Sequence, residues 1–170
     1  MYHEFGSNQQ DLTIFTDNDK THYIDIGTSK DKSHLIINSN TKEDSEVWVA
    51  KREKGEEPQL LLPRAEGVRV FAEHLRDFWV FITNDEQANN FKLSKLQDSK
   101  FEQGKEGWED IVRLDSTRII EEFDGFENFI TVYTKAEGSS EVLIYDLENE
   151  EQTVLSLGEG ALGEVMPGMN

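Results

Sequence analysis

The sequence predicts an all-β chain, a β-propeller fragment of about three to three and a half four-stranded antiparallel blades. Three observations carry this. Apolar segments are short, β-rich and separated by charged or Gly-containing turns. They fall into sets of four. The sets repeat: Trp48, Lys92 and Leu143 hold equivalent third segments about 44 and 51 residues apart, as do Ile36, Val80 and Thr131 in second segments, a period proper to propeller blades.

The first set reads HYIDIG (His22 to Gly27), HLIIN (His34 to Asn38), EVWVA (Glu46 to Ala50) and QLLLP (Gln59 to Pro63). In its centre, HLIINSNTKEDSEVWV places a polar bridge between two apolar runs, the pattern of a hairpin turn. The second set is VRVFAEH (Val68 to His74), FWVFIT (Phe78 to Thr83), FKLSKL (Phe91 to Leu96) and EDIVRL (Glu109 to Leu114). Phe71, Leu75 and Phe78 have helical spacing, but the repeat assigns that stretch to a strand. WEDIVRL also admits a helical turn. FWVFI is apolar at successive positions, which suits a strand buried on both faces between stacked blades. The third set is RIIEEF (Arg118 to Phe123), FITVY (Phe129 to Tyr133), EVLIYDL (Glu141 to Leu147) and QTVLSL (Gln152 to Leu157).

The resulting divisions are residues 1–20, outer strands of a preceding blade (YHEFGS and DLTIFT); 21–64, 65–115 and 116–158, one blade each; and 159–170, the start of another. Such a number of blades does not close a ring. Open edges at both ends are then expected to meet a partner or to self-associate. The chain therefore reads as a piece of something larger.

Bulk composition narrows the function. The 170 residues are 36% hydrophobic and 10% aromatic, too apolar for a disordered acidic tail. There are 17 basic and 35 acidic residues, a formal net charge of −18, with no basic patch. That disfavours nucleic acid and anionic membrane surfaces as partners. Cys is absent, which excludes thiol chemistry and disulfides. The first 20 residues lack the features of a signal peptide, and no apolar run approaches the roughly 20 residues of a membrane span. A cytoplasmic chain is expected.

Several stretches together resemble the propeller of the prolyl oligopeptidase family of serine peptidases, its oligopeptidase B branch in particular. They are HEFGS with DLTIFTDND, TSKDKSHLIINSNTKEDSEVWV, LPRAEGVRVFAEHLRDFWVFITNDEQANNFKL, EEFDGFENFITVYTKAEGSSEVLIYDLE and PGMN, spanning His3 to Asn170. The resemblance implies a domain that gates access to a Ser-His-Asp active site carried by an α/β-hydrolase domain. It further implies cleavage of short peptides, in that branch after basic residues. The partners implied are that catalytic domain and the peptides.

No residue of this chain is assigned a catalytic, cofactor-binding or metal-ligating role, and no cofactor is expected. The sequence contains no Gly-x-Ser-x-Gly elbow, and Gly138-Ser139-Ser140-Glu141 reads as a hairpin turn. His3, His22, His34 and His74 lie on different strands and are expected not to converge. Asp17-Asn18-Asp19-Lys20-Thr21-His22 opens like a calcium loop, but Thr28 stands where the bidentate Glu belongs, so it reads as a turn. The acidic groups Glu53 to Glu57 and Glu148 to Glu151 read as solvated loops, with a cation-recruiting rim as the rival. Val142 to Leu147 resembles a WD40 third strand but lacks the upstream Gly-His. Trp48, Trp79 and Trp108 are assigned to blade packing. The alternative to a peptidase gate is a freestanding, non-catalytic interaction module.

Overall fold

The computed structural model describes residues 13–52, 56–136 and 139–155. They form twelve strands: β1 (Tyr23–Thr28), β2 (His34–Asn40), β3 (Ser45–Lys51), β4 (Gln59–Leu62), β5 (Val70–Leu75), β6 (Phe78–Thr83), β7 (Lys92–Gln97), β8 (Glu109–Arg113), β9 (Arg118–Gly125), β10 (Phe129–Ala136), β11 (Ser139–Asp146) and β12 (Gln152–Leu155). These make three four-stranded sheets, ordered β1-β2-β3-β4, β5-β6-β7-β8 and β9-β10-β11-β12. Every pairing is antiparallel. Consecutive meanders stacked face to face are the architecture of propeller blades.

Local chemistry sets the hairpins. Between β2 and β3 the Thr41 hydroxyl oxygen accepts the N–H groups of Glu43 and Asp44 and donates to Asp44 Oδ1 at 2.7 Å. The polar bridge is thus a turn, with β2 running two residues beyond Asn38 before it. VFAEHL is strand β5 rather than helix, because six cross-strand partners on β6 outweigh its helical spacing. EDIVR is likewise strand β8. The helical turns lie just upstream, a kinked 310 segment over Asp98–Gly107 that turns at Gly104 with φ 55°.

Strand β6 explains how the blades stack. All six of its residues are buried. Trp79 and Phe81 point into the cluster shared with the first blade, alongside Val47, Val49 and Leu62. Phe78, Val80 and Ile82 point the other way, against Ile120, Ile130, Val132 and Leu143 of the third blade. A strand with two buried faces has no polar side to show, which is why its apolar residues run without alternation. At the second seam the blades approach so closely that a Cβ on Gly125 would lie 2.4 Å from Leu75 Cδ2.

YHEFGS, Asp11, Leu12, Gly138, Ser156, Leu157 and LGEVMPGMN lie outside the described residues. Thr13–Thr16, the remainder of DLTIFT, adopt no strand. Phe15 instead lays its ring 5.5 Å from that of Trp48.

Candidate functional site

Among the described residues, two polar clusters are set by how the blades meet. The first is where the inner strands converge. The β1–β2 turn of the first blade reaches past the second blade, and Lys30 Nζ pairs with Asp124 on β9. The Lys30 backbone N–H donates to Glu73 Oε1 of β5 at 2.9 Å. The pair joins the first blade to the third beside their first strands, the strands that a propeller arranges around its axis. A cavity of about 350 Å³ opens here, lined by Lys30, Phe71, Glu73, Glu121, Glu122 and Asp124 among others. The lining thus includes four acidic residues and one lysine, with Phe71, Ala72, Ile82 and Phe123 between them. Burial pushes the Glu73 carboxyl up, against the opposing N–H groups of Lys30 and His74.

The second cluster draws on the same β1–β2 turn, at the seam between the first two blades. His74, buried near the end of β5, sets Nδ1 2.6 Å from Asp31 Oδ2 and Nε2 3.1 Å from Asp98 Oδ1. The His34 ring lies 4.3 Å from the His74 ring, and Trp79 closes the cluster at 4.6 Å from His74. Ser33 Oγ sits centrally, 2.6 Å from Asp31 Oδ1, 2.7 Å from His34 Nδ1 and 3.1 Å from His74 Nδ1. Burial pushes the His34 imidazole down, and the neighbouring His74 adds to that. Burial pushes Asp31 up, but the Ser29 and Ser33 hydroxyls, the Ser33 N–H and His74 together hold its carboxyl well below the usual range. Beside the seam lies a cavity of about 290 Å³, walled by Trp79 and Phe101 with Asp98, Glu57 and Glu102 at its rim.

Two of the four histidines therefore do converge, contrary to what their sequence separation suggested. His34 begins β2 and His74 is the penultimate residue of β5, so each flanks the first hairpin turn of its blade. Stacking neighbouring blades brings those turns together. His22 is elsewhere, with Nε2 2.9 Å from Asp44 Oδ1, and His3 lies outside the described residues. Asp31, His34 and His74 each present a ligand atom within 4.8 Å of the others.

Ser33, His74 and Asp98 also stand in the serial order of a hydrolytic triad. They do not act as one. Asp31 Oδ2 approaches His74 Nδ1 more closely than Ser33 does, and Asp31 Oδ1 holds the hydroxyl itself. A nitrogen already facing a nearer carboxylate is not free to accept the serine proton.

The remaining motifs have structural duties. Asp17 accepts from the Ser39 hydroxyl and from Arg64 Nη2, the latter at 2.5 Å. Ser39, the Asp19 N–H and Arg64 hold its carboxyl well below the usual range. The calcium-like stretch thus tethers its turn to the first blade. Glu150 takes Lys95 Nζ at 3.0 Å. Trp79 is 1% exposed, while Trp108 meets Phe81 edge-on at 4.6 Å. Ser139 and Ser140 open β11 opposite Ala136 and Lys135.

Comparison with known proteins gives a consistent picture. Residues 1–166 match the family model described as prolyl oligopeptidase, N-terminal β-propeller domain. Dipeptidyl aminopeptidase BI of Pseudoxanthomonas mexicana is 26% identical over 127 residues, which is 75% of this chain and 17% of that protein. Oligopeptidase B from Trypanosoma brucei, solved with covalently bound antipain, superposes with TM-score 0.80 at 24% identity, covering 93% of this chain and 23% of that one. Oligopeptidase B from Leishmania major superposes with TM-score 0.82 at 18% identity, with the same coverage. The chain thus spans under a quarter of the length of these relatives.

Proposed function

The chain belongs to the prolyl oligopeptidase family through its N-terminal β-propeller domain, and from that premise we propose that it is the gate of an oligopeptidase B-like serine peptidase. In this reading the propeller stands over an α/β-hydrolase domain and filters short peptides on their way to a Ser-His-Asp site. The observation that carries it is the axial cavity, where Glu73, Glu121, Glu122 and Asp124 outnumber Lys30. Crowded carboxylates at an entrance raise the local concentration of cationic ligands. Peptides with Arg or Lys are therefore the favoured class, and cleavage after a basic residue fits that selection. The blade limits assigned above, 21–64, 65–115 and 116–158, and a cytoplasmic setting belong to the same reading. Among the described residues no helix is long and apolar enough to cross a membrane.

The gate supplies selection, not chemistry. We expect the purified chain neither to be labelled by a fluorophosphonate serine probe nor to turn over an Arg-containing chromogenic peptide. Labelling together with turnover would place a working nucleophile in the chain and defeat the assignment.

A second reading rests on a separate observation. Tyr23, Ile24 and Ile26 on β1, and Val154 and Leu155 on β12, are exposed at opposite ends of the stack of described blades. Apolar blade faces at both ends suit an interaction module that pairs with another copy or another protein. Light scattering separates the two: concentration-dependent dimers through these faces favour the module, and a stable monomer at all concentrations counts against it.

A further inference from the structure

We propose that Asp31, His34 and His74 hold a divalent transition-metal ion, zinc by the chemistry of the set, as a staple across the seam between the first and second blades. Two imidazoles and a carboxylate form a ligand set that zinc favours, leaving a fourth position for water or Ser33. The three ligand atoms already lie within 4.8 Å of one another. Ser33 Oγ marks their common point, at 2.6, 2.7 and 3.1 Å from Asp31 Oδ1, His34 Nδ1 and His74 Nδ1. A metal at that point needs ligands at about 2.0–2.2 Å, so the set must close by roughly 1 Å or less as the hydroxyl rotates aside.

Two further features favour a cation there. Asp98 meets the other His74 nitrogen at 3.1 Å, on the side away from the proposed ion. A carboxylate on the non-ligating nitrogen fixes the tautomer and turns the remaining lone pair toward the metal. His74 also faces carboxylates from two sides, Asp31 at Nδ1 and Asp98 at Nε2, so the surroundings of the ring are anionic. His34 crowds the same spot, its ring 4.3 Å from that of His74.

The ligands come from the β1–β2 hairpin and from β5, with Asp98 beyond β7. An ion there would bind only when the two blades are stacked, so it would stabilise the stack by mass action.

The test is a titration of the full chain, stripped with EDTA, with Co²⁺ and then Zn²⁺. We expect one saturable Co²⁺ per chain at micromolar concentration, a visible d–d band of four-coordinate cobalt, quenching of Trp79 fluorescence, bleaching of the band by Zn²⁺, and a higher melting temperature with Zn²⁺. His74 is buried and its loss threatens folding, so half-buried His34 serves as the diagnostic ligand. His34→Gln and Asp31→Asn should abolish the cobalt band while the chain remains folded. Asp98→Asn should weaken binding by roughly 10–100-fold. Absence of saturable binding at micromolar Co²⁺ overturns the proposal. Binding that survives His34→Gln unchanged overturns it as well, since the ion would then sit on surface carboxylates.

Discussion

Replacing Trp79 with alanine is expected to lower the stability of the chain by about 3–5 kcal/mol, a large share of the roughly 5–15 kcal/mol typical of a domain. The indole is 1% exposed and fills the first seam. It belongs to a core cluster built from both blades, with Val47, Val49 and Leu62 from the first and Val70 and Leu96 from the second. Its ring also meets those of His34 and His74 at 5.0 and 4.6 Å. Alanine loses that transfer energy and leaves a void that two rigid sheets do not collapse to fill. Urea unfolding measures the loss as a shift in midpoint at constant slope. Trp79→Phe should recover part of it. A Trp79→Ala cost below about 1 kcal/mol would mean that the blades are held by something other than this packing.

The second large effect is expected at Lys92. Its side chain is 2% exposed, and its ammonium lies 2.7 Å from Glu86 Oε2 and 2.8 Å from Asp110 Oδ1. Lys92→Ala removes the buried cation and leaves Asp110 to Arg113 and Ser94, and Glu86 to the more distant Lys105 and Arg113. Breaking a buried pair in this way costs about 3–5 kcal/mol, and the partial exposure of both carboxylates points to the lower end. The triple change Lys92→Met, Glu86→Gln and Asp110→Asn should recover most of it, because the charge it leaves without these partners, on Arg113, is exposed to solvent.

The same cluster sets a pH window. Burial pushes Asp110 up, but Lys92 and Ser94 outweigh it and hold the carboxyl below its ordinary value. Burial pushes Lys92 down, but Asp110 and Glu86 outweigh it and raise the ammonium. A depressed carboxylate stabilises the fold above its unfolded pKa of about 3.9 and loses that contribution as pH falls toward the folded value. A raised lysine stabilises below its unfolded pKa of about 10.4 and loses its contribution as pH climbs through the folded value. The Lys92→Ala penalty should therefore be full between about pH 4 and pH 10 and shrink outside that window. A penalty independent of pH would assign the loss to packing of the lysine stem alone.

What could be read in advance follows from which forces are local. β6 was legible because FWVFIT carries its double burial in its own composition, and the hairpin after β2 because Thr41 and Asp44 bond within the turn. The helical spacing of Phe71, Leu75 and Phe78 misleads only when read alone, and the repeat corrects it. The 310 segment was not legible. DSKFEQGKEG has no apolar period, and its form follows from packing against β4 and β7 rather than from its own pattern. The seam cluster was hidden for a related reason: Asp31 and His74 are 43 residues apart and meet through the rotation between blades. Lys30 and Asp124 pair by the same geometry at a separation of 94. Blade period announces that such contacts exist without saying which side chains make them. The family resemblance was legible across the chain because turn and strand residues recur in order, and the matching family model covers residues 1–166.

The central claim, that the axial face selects cationic peptides, is tested most directly by fluorescence anisotropy of short labelled peptides titrated with the chain. An Arg-containing peptide should bind in a saturable, salt-sensitive manner, and its Arg→Glu counterpart should not. Glu121→Gln with Glu122→Gln should weaken the Arg-containing peptide by about tenfold, equivalent to about 1.4 kcal/mol, without changing the thermal melt. Equal affinity for both peptides, or binding that the double change leaves untouched, would contradict the account.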